Sequence, residues 1–226
     1  MAQTRLDTIK SKPYSYGSYN KYNDSEQWIR ITEGCPHNCP YCREPTEFKI
    51  FGIPDIVRTK VKIMDMNILA KPEALELIKE LGSKRVEGKV IHYEFICGID
   101  YRFLTLELAQ ALKDSRVINI RIAWDWDIKD QYKLKDALHK LFKVGYKSDS
   151  ITIFMICNWK IPYSTNILKL DLCKVWNVKV ADCYFDNQIM PHVVPLFWKE
   201  DEIRSFRKSV RTHNQLVRFK IYPELK

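Results

Sequence analysis

Long apolar runs are missing from this 226-residue chain. None approaches the roughly eighteen apolar residues of a membrane-spanning helix, and the opening residues Met1-Ala-Gln-Thr-Arg-Leu-Asp7 lack the apolar core of a secretory signal. A soluble, cytoplasmic protein with no membrane partner is therefore expected. No internal repeat is visible, and no second Cys-x-x-Cys pair exists to complete a four-cysteine zinc site. An even cysteine set is lacking as well. The chain has seven cysteines, three of them within eight positions, and in an intracellular protein that reads as metal ligands or reduced thiols sooner than as disulfides.

Acidic residues are the scarcer charge: 28 Asp and Glu face 37 Lys and Arg, a formal charge of +9, with the basic excess concentrated from Arg204 to Lys220. Such a balance suits an anionic partner such as nucleic acid, and equally a solvated lysine-rich surface. At 46% hydrophobic content the chain is long enough to bury one sizeable core, with or without a small appendage.

The most informative run is Ile31-Thr-Glu-Gly-Cys-Pro-His-Asn-Cys-Pro-Tyr-Cys-Arg-Glu44. Cys35, Cys39 and Cys42 stand in a C-x₃-C-x₂-C spacing, close enough for one loop to wrap one cluster. Pro36 and Pro40 each fix φ directly after a cysteine, and Gly34 permits unusual backbone angles before the first, so a non-helical loop is expected. Three thiolates can hold three irons of a [4Fe-4S] cube, whereas an electron-transfer cluster normally takes four. One iron is then left without a protein sulfur.

With Tyr41 as the aromatic residue before the third cysteine, this run resembles the signature of the radical S-adenosylmethionine (SAM) superfamily. The resemblance implies that Cys35, Cys39 and Cys42 bind a [4Fe-4S] cluster whose unique iron is chelated by SAM. It also implies an enzyme that reductively cleaves SAM to a 5′-deoxyadenosyl radical, which abstracts hydrogen from a substrate. A reductant such as flavodoxin or ferredoxin would supply the electron, and the substrate is a small molecule, a peptide or RNA. Many members carry a Gly-Gly-Glu run after the second strand. This chain has Met64-Asp-Met-Asn67 there, which would pass the role to Asp65 or Asn67. A different class of reading makes the chain a metal-dependent nucleic-acid-binding protein, its cysteines holding zinc with His37 or a distant histidine.

From Trp28 onward, strand-like runs alternate with helical patterns, which indicates βαβ units and a parallel sheet. The strand candidates are 28–32, 61–64, 90–97, 117–124, 151–157 and 178–184. Helices are expected over 72–79, 104–113, 132–144, 166–175 and 201–219, with a short one in the connection 43–60. The layout is an α/β fold similar to the partial (βα)6 barrel of radical SAM enzymes. Residues 1–24 read as a polar N-terminal arm, 25–190 as the barrel core and 191–226 as a basic helical extension.

In such barrels chemistry gathers at the carboxyl ends of the strands. Each later strand ends in polar residues: Asp65 and Asn67, Asp100 and Arg102, Asp125 and Asp127, Asn158, then Asp182, Asp186 and Asn187. About half would serve only as caps and loop starters. Strand alternation puts His92 and Glu94, and Asn119, Arg121 and Asp125, on the face opposite the apolar residues. Arg121 could bind the SAM carboxylate, and Glu94, Asp65 or Asn67 could accept from its ammonium or ribose, with Tyr41 and Asp125 completing the candidate set. A Glu94–Arg121 ion pair that only fills the barrel fits the same residues. Cys97, Cys157, Cys173 and Cys183 share no short ligand spacing and read as packing. Trp124, Trp126 and Trp159 either line a pocket or belong to the core.

Overall fold

The computed structural model describes residues 14–125, 127–184 and 198–221. Six strands run parallel in sequence order. β1 (Tyr19–Tyr22) is antiparallel to β2 (Gln27–Arg30), which is followed after Ile31 by β3 (Thr32–Glu33), itself paired with β4 (Lys49–Ile50). The parallel set is β2, β5 (Lys60–Ile63), β6 (His92–Phe95), β7 (Ile120–Ala123), β8 (Ile151–Cys157) and β9 (Lys179–Tyr184). Between them lie α1 (Ala74–Ser83), α2 (Leu106–Asp114), α3 (Gln131–Lys143) and α4 (Tyr163–Val175), and α5 (Glu200–Arg218) follows the last strand. The strands form a four-stranded and a three-stranded sheet. A seam between β6 and β7 is bridged at Tyr93–Val117 and Ile99–Ile122. No barrel is closed among the described residues.

Alternation decides which face the helices cover. Ile29, Val61, Ile63, Tyr93, Phe95, Ile120, Ile122, Ile151 and Ile153 are buried against Ile78 and Leu81 of α1, Leu112 of α2, Leu138 and Leu141 of α3, and Leu170 of α4. Burying aliphatic side chains of this size is worth about 1.5–3 kcal/mol each. The other face carries Trp28, Lys62, Glu94, Arg121, Thr152 and Phe154, all half-buried and polar or aromatic.

Several elements differ from the sequence expectation for local reasons. The first strand divides at Ile31 because the Asp65 carboxylate takes the amides of Ile31 and Thr32 at 3.0 and 2.7 Å. The fourth begins only at Ile120, since Arg116 and Asn119 adopt positive φ of 59° and 51°. α4 starts three residues early, with Pro162 at its N-cap; α1 starts two residues late and runs on to Ser83. The connection 43–60 holds no helix but supplies β4. Within the polar lead-in, residues 19–22 form β1 and cover the outer edge of β2. The sequence boundary at 190 falls outside the described residues.

Candidate metal and cofactor site

The three-cysteine run forms the loop between β3 and β4, held open by backbone contacts at its root. Gly34 has φ +102°, and a Cβ there would run into the backbone of Glu47. Its N–H donates to Glu44 Oε1 at 2.8 Å, and its carbonyl accepts from Lys71 Nζ. Cys35 N–H closes the loop on Pro45 O at 2.8 Å, and Cys42 N–H donates to Cys39 O at 2.9 Å. Lys71 also reaches Asn67 O at 3.1 Å, and Arg30 lies 3.5 Å from Glu44. All these charged groups are buried. They tie the cysteine loop to the ends of β2 and β5.

Cys35, Cys39 and Cys42 line one cavity of ≈ 120 Å³, together with Tyr41, Asn67, Asp100, Arg102 and Asp125. Its walls are the ends of β5, β6 and β7, the carboxyl side of the sheet where a site is expected. A larger cavity of ≈ 290 Å³ lies at the other end, between Tyr146, Trp176 and Lys220, and contains no cysteine.

Asp100 is the polar hub. Burial pushes its carboxyl up, but Arg102 outweighs that with bonds of 2.8 Å from Nε and 2.8 Å from Nη2, and the pKa ends below its usual value. Asn67 Nδ2 donates to the same carboxylate at 3.2 Å, and His37 Nε2 lies 2.6 Å from it. His37 also lines the cysteine cavity, and Asp100 fixes its ring through Nε2. Asn67 Nδ2 is also 3.5 Å from Cys35 Sγ. The Asn67 side-chain oxygen is buried and accepts nothing among the described residues; leaving such an acceptor unmet costs about 1–3 kcal/mol.

Tyr41 OH donates to Asp125 Oδ2 at 2.8 Å, and its ring meets Trp159 edge-on at 5.8 Å. Burial raises the phenol pKa, with Asp125 and Cys39 adding to it, so Tyr41 stays protonated. Beneath Asp125, the fully buried Lys169 donates to Trp124 O at 3.0 Å. Burial pushes this amine down to about 8.

The donor set fits an iron–sulfur cluster. Burial, reinforced by Cys39 and Cys35, pushes the Cys42 thiol up to about 11, so a metal bound by Cys42 would have to displace its proton. Glu44 N–H already points at Cys42 Sγ at 3.4 Å, the kind of amide contact that stabilises cluster sulfur. Among the described residues no three His, Cys, Asp or Glu side chains form a site for one metal ion. A cubane asks for something different, one thiolate on each of three irons.

Of the residues singled out in the sequence, Tyr41, Asn67, Asp100, Arg102 and Asp125 share the cavity with the cysteines. Asp65 lies behind it, 0% exposed, also accepting from Thr32 Oγ1 at 2.5 Å; burial pushes its pKa up to about 6. Glu94 and Arg121 are not among the residues lining the cavity. They pair with each other across the β6–β7 seam, and Arg121 Nη1 donates to Ile96 O at 3.0 Å. The guanidinium that does reach the cavity belongs to Arg102. Asp127 caps a short turn through Lys129 N–H, Asp182 sits 3.9 Å from Arg207, and Asn158 accepts from Trp198 N–H. Asp186, Asn187 and Trp126 lie outside the described residues. Trp124 is core and Trp159 supports Tyr41. Cys157 and Cys173 are buried and Cys183 is exposed, whereas Cys97 faces the cavity. Sequence reasoning marked Gly34 for its backbone freedom and Asp100 and Arg102 as strand-end residues, but missed the contacts of Gly34 with Glu44 and Lys71, the His37–Asp100 contact and Lys169.

No protein-family model matches this chain, and no curated protein does. Among solved structures, coproporphyrinogen III oxidase (HemN) from Escherichia coli, described as a radical SAM enzyme, is similar at 12% identity and a TM-score of 0.48. The match covers 70% of this chain and 40% of that one, so this chain spans less than half the length of the protein it resembles.

Proposed function

We propose that the chain is a radical SAM enzyme in which Cys35, Cys39 and Cys42 hold one [4Fe-4S] cluster and leave one iron for SAM. The observation that carries this reading is the meeting of three cysteines from one loop with the unmet Asn67 oxygen in a single cavity at the carboxyl ends of parallel strands. Once bound and reduced, the group would supply cleavage of SAM to a 5′-deoxyadenosyl radical that takes hydrogen from substrate.

The protein's own residues would do the positioning. Asn67 Oδ1 offers an acceptor to an ammonium group. Arg102, held on Asp100 through Nε and Nη2, has a further guanidinium nitrogen for a carboxylate. Tyr41 and Trp159 seal the side of the cysteine loop, and Asp125 keeps the Tyr41 proton in place. A flavodoxin- or ferredoxin-type reductant would deliver the electron, and the substrate, a small molecule, a peptide or RNA, would enter at the strand ends.

Anaerobic reconstitution with iron and sulfide, followed by reduction with SAM, tests this. The wild type should bind about four irons per chain and release 5′-deoxyadenosine. Alanine at Cys35, Cys39 or Cys42 should abolish both. Continued 5′-deoxyadenosine formation by all three variants, or a cubane whose spectrum ignores added SAM, refutes the reading.

A further inference from the structure

The outer face of α5 is basic along nearly its whole length. Its only carboxylates, Glu200, Asp201 and Glu202, sit in the first turn. From Ile203 to Ile221 the sequence contains no Asp or Glu, while Arg204, Arg207, Lys208, Arg211, Arg218 and Lys220 are all present. On the other helices several cations are matched by acids: Lys84 with Glu80, Lys79 with Glu107, Lys133 with Asp130, Lys140 with Asp136 and Lys174 with Asp171. Arg204, Lys208, Arg211 and Arg218 are exposed and have no ion pair among the described residues.

Their placement follows from the helical period. Phe206, Val210, His213 and Val217 are the buried stripe, packed toward β9 and α4. At about 100° per residue, Arg204, Arg207, Lys208, Arg211 and Arg218 fall within an arc of roughly 100° on the opposite side. The row from Arg204 to Arg218 is about 21 Å long, and Arg204, Lys208 and Arg211 follow one another at about 6 and 4.5 Å along the axis. That spacing is comparable to the separation of successive phosphates on a nucleic-acid strand. Arg207 stacks over the Tyr184 ring at 4.2 Å, which anchors the row beside the end of β9.

We infer that this face of α5 is a binding track for the phosphate backbone of a nucleic-acid strand. Closely spaced cations of one sign, of which only Arg207 meets an acid among the described residues, Asp182 at 3.9 Å, are what a linear polyanion recognises, because each phosphate neutralised releases condensed counterions. Arginine dominates the row, and its planar fork suits phosphate oxygens. The track is built from residues outside the cysteine cavity, and it stands or falls independently of the radical chemistry proposed above.

The test uses the full chain and fluorescently labelled single-stranded RNA and DNA oligonucleotides of one sequence, titrated at several salt concentrations. A variant carrying Arg204→Gln, Lys208→Gln, Arg211→Gln and Arg218→Gln keeps the buried stripe, and its far-UV circular dichroism should match wild type. A control variant removes the same charge elsewhere through Lys79→Gln, Lys84→Gln, Lys129→Gln and Lys133→Gln. At about 0.7 per phosphate for a single strand, the first variant should flatten the slope of log K against log salt by about three units, and the control should leave it nearly unchanged. Binding of either strand with this pattern upholds the track. Wild type that leaves both strands unbound at about 50 mM salt, or a control that loses as much slope as the α5 variant, overturns it.

Discussion

Gly34 shows how one residue governs the site. Its positive φ and the missing Cβ let the chain pass the Glu47 backbone while both of its peptide groups are clamped by Glu44 and Lys71. Gly34→Ala should force the loop root open at a cost of about 1–3 kcal/mol. Iron per chain after anaerobic reconstitution is expected to fall below half of wild type while far-UV circular dichroism stays unchanged; full iron loading would contradict the clamp. At this scale the cysteines were legible because three ligands on one loop need no tertiary information to be close. Arg121 was legible only as to face. Alternation tells which side of a strand a residue occupies, but the relative heights of neighbouring strands decide whether it reaches the mouth, and here Arg102, beyond the strand end, reaches it instead. Arg121→Leu would strand Glu94 and the Ile96 carbonyl, a loss of about 1–3 kcal/mol, or roughly 2–12 °C in melting temperature for a chain of this size. SAM affinity, measured by calorimetry on the reconstituted protein, should be unchanged.

At the scale of elements, α5 is fastened to the last strand by hydrogen bonds as well as packing. Asn214 exchanges bonds with Val180, accepting at 2.9 Å and donating at 2.7 Å, and His213 Nε2 lies 2.7 Å from Val178 O. Burial lowers the His213 pKa below 6.5, only partly opposed by the Val178 bond, and Lys174 lowers it further. The sign follows directly. Below pH 6.5 the unfolded chain takes up a proton that the folded chain resists, so stability from this group is present above that pH and is lost as pH falls toward the lower folded value. Thermal melts between about pH 7.5 and 5.5 should show a steeper decline for wild type than for His213→Gln, which can still donate to Val178; equal declines would remove His213 as the cause. The amphipathic period made this helix readable to within one residue at each end. The shortened β7 was not readable, because positive φ at Arg116 and Asn119 answers to the chain's path from α2 into the seam.

Among the described residues the strands form two sheets that meet at the β6–β7 seam, with the antiparallel β1 on one edge and β9 on the other. Gln27, fully buried at the β1 side, donates to Asn20 Oδ1 at 2.7 Å and to Asp55 O at 2.8 Å, and accepts from Val57 N–H at 2.8 Å. Deleting residues 1–24 would uncover the β2 edge and strip Gln27 of one partner, so lower melting temperature and self-association by light scattering are expected; a monomer of unchanged stability would show that β1 is dispensable. By itself the sequence determined the order of the six parallel strands and the five helices, and the clustering of Cys35, Cys39 and Cys42, since hydrophobic period and short-range spacing are local properties of a chain. Only the tertiary structure decided which strand-end residues meet the cysteines. Asn67, the Asp100–Arg102 turn and Asp125 come from three separate segments, and their convergence depends on strand stagger that no local pattern encodes.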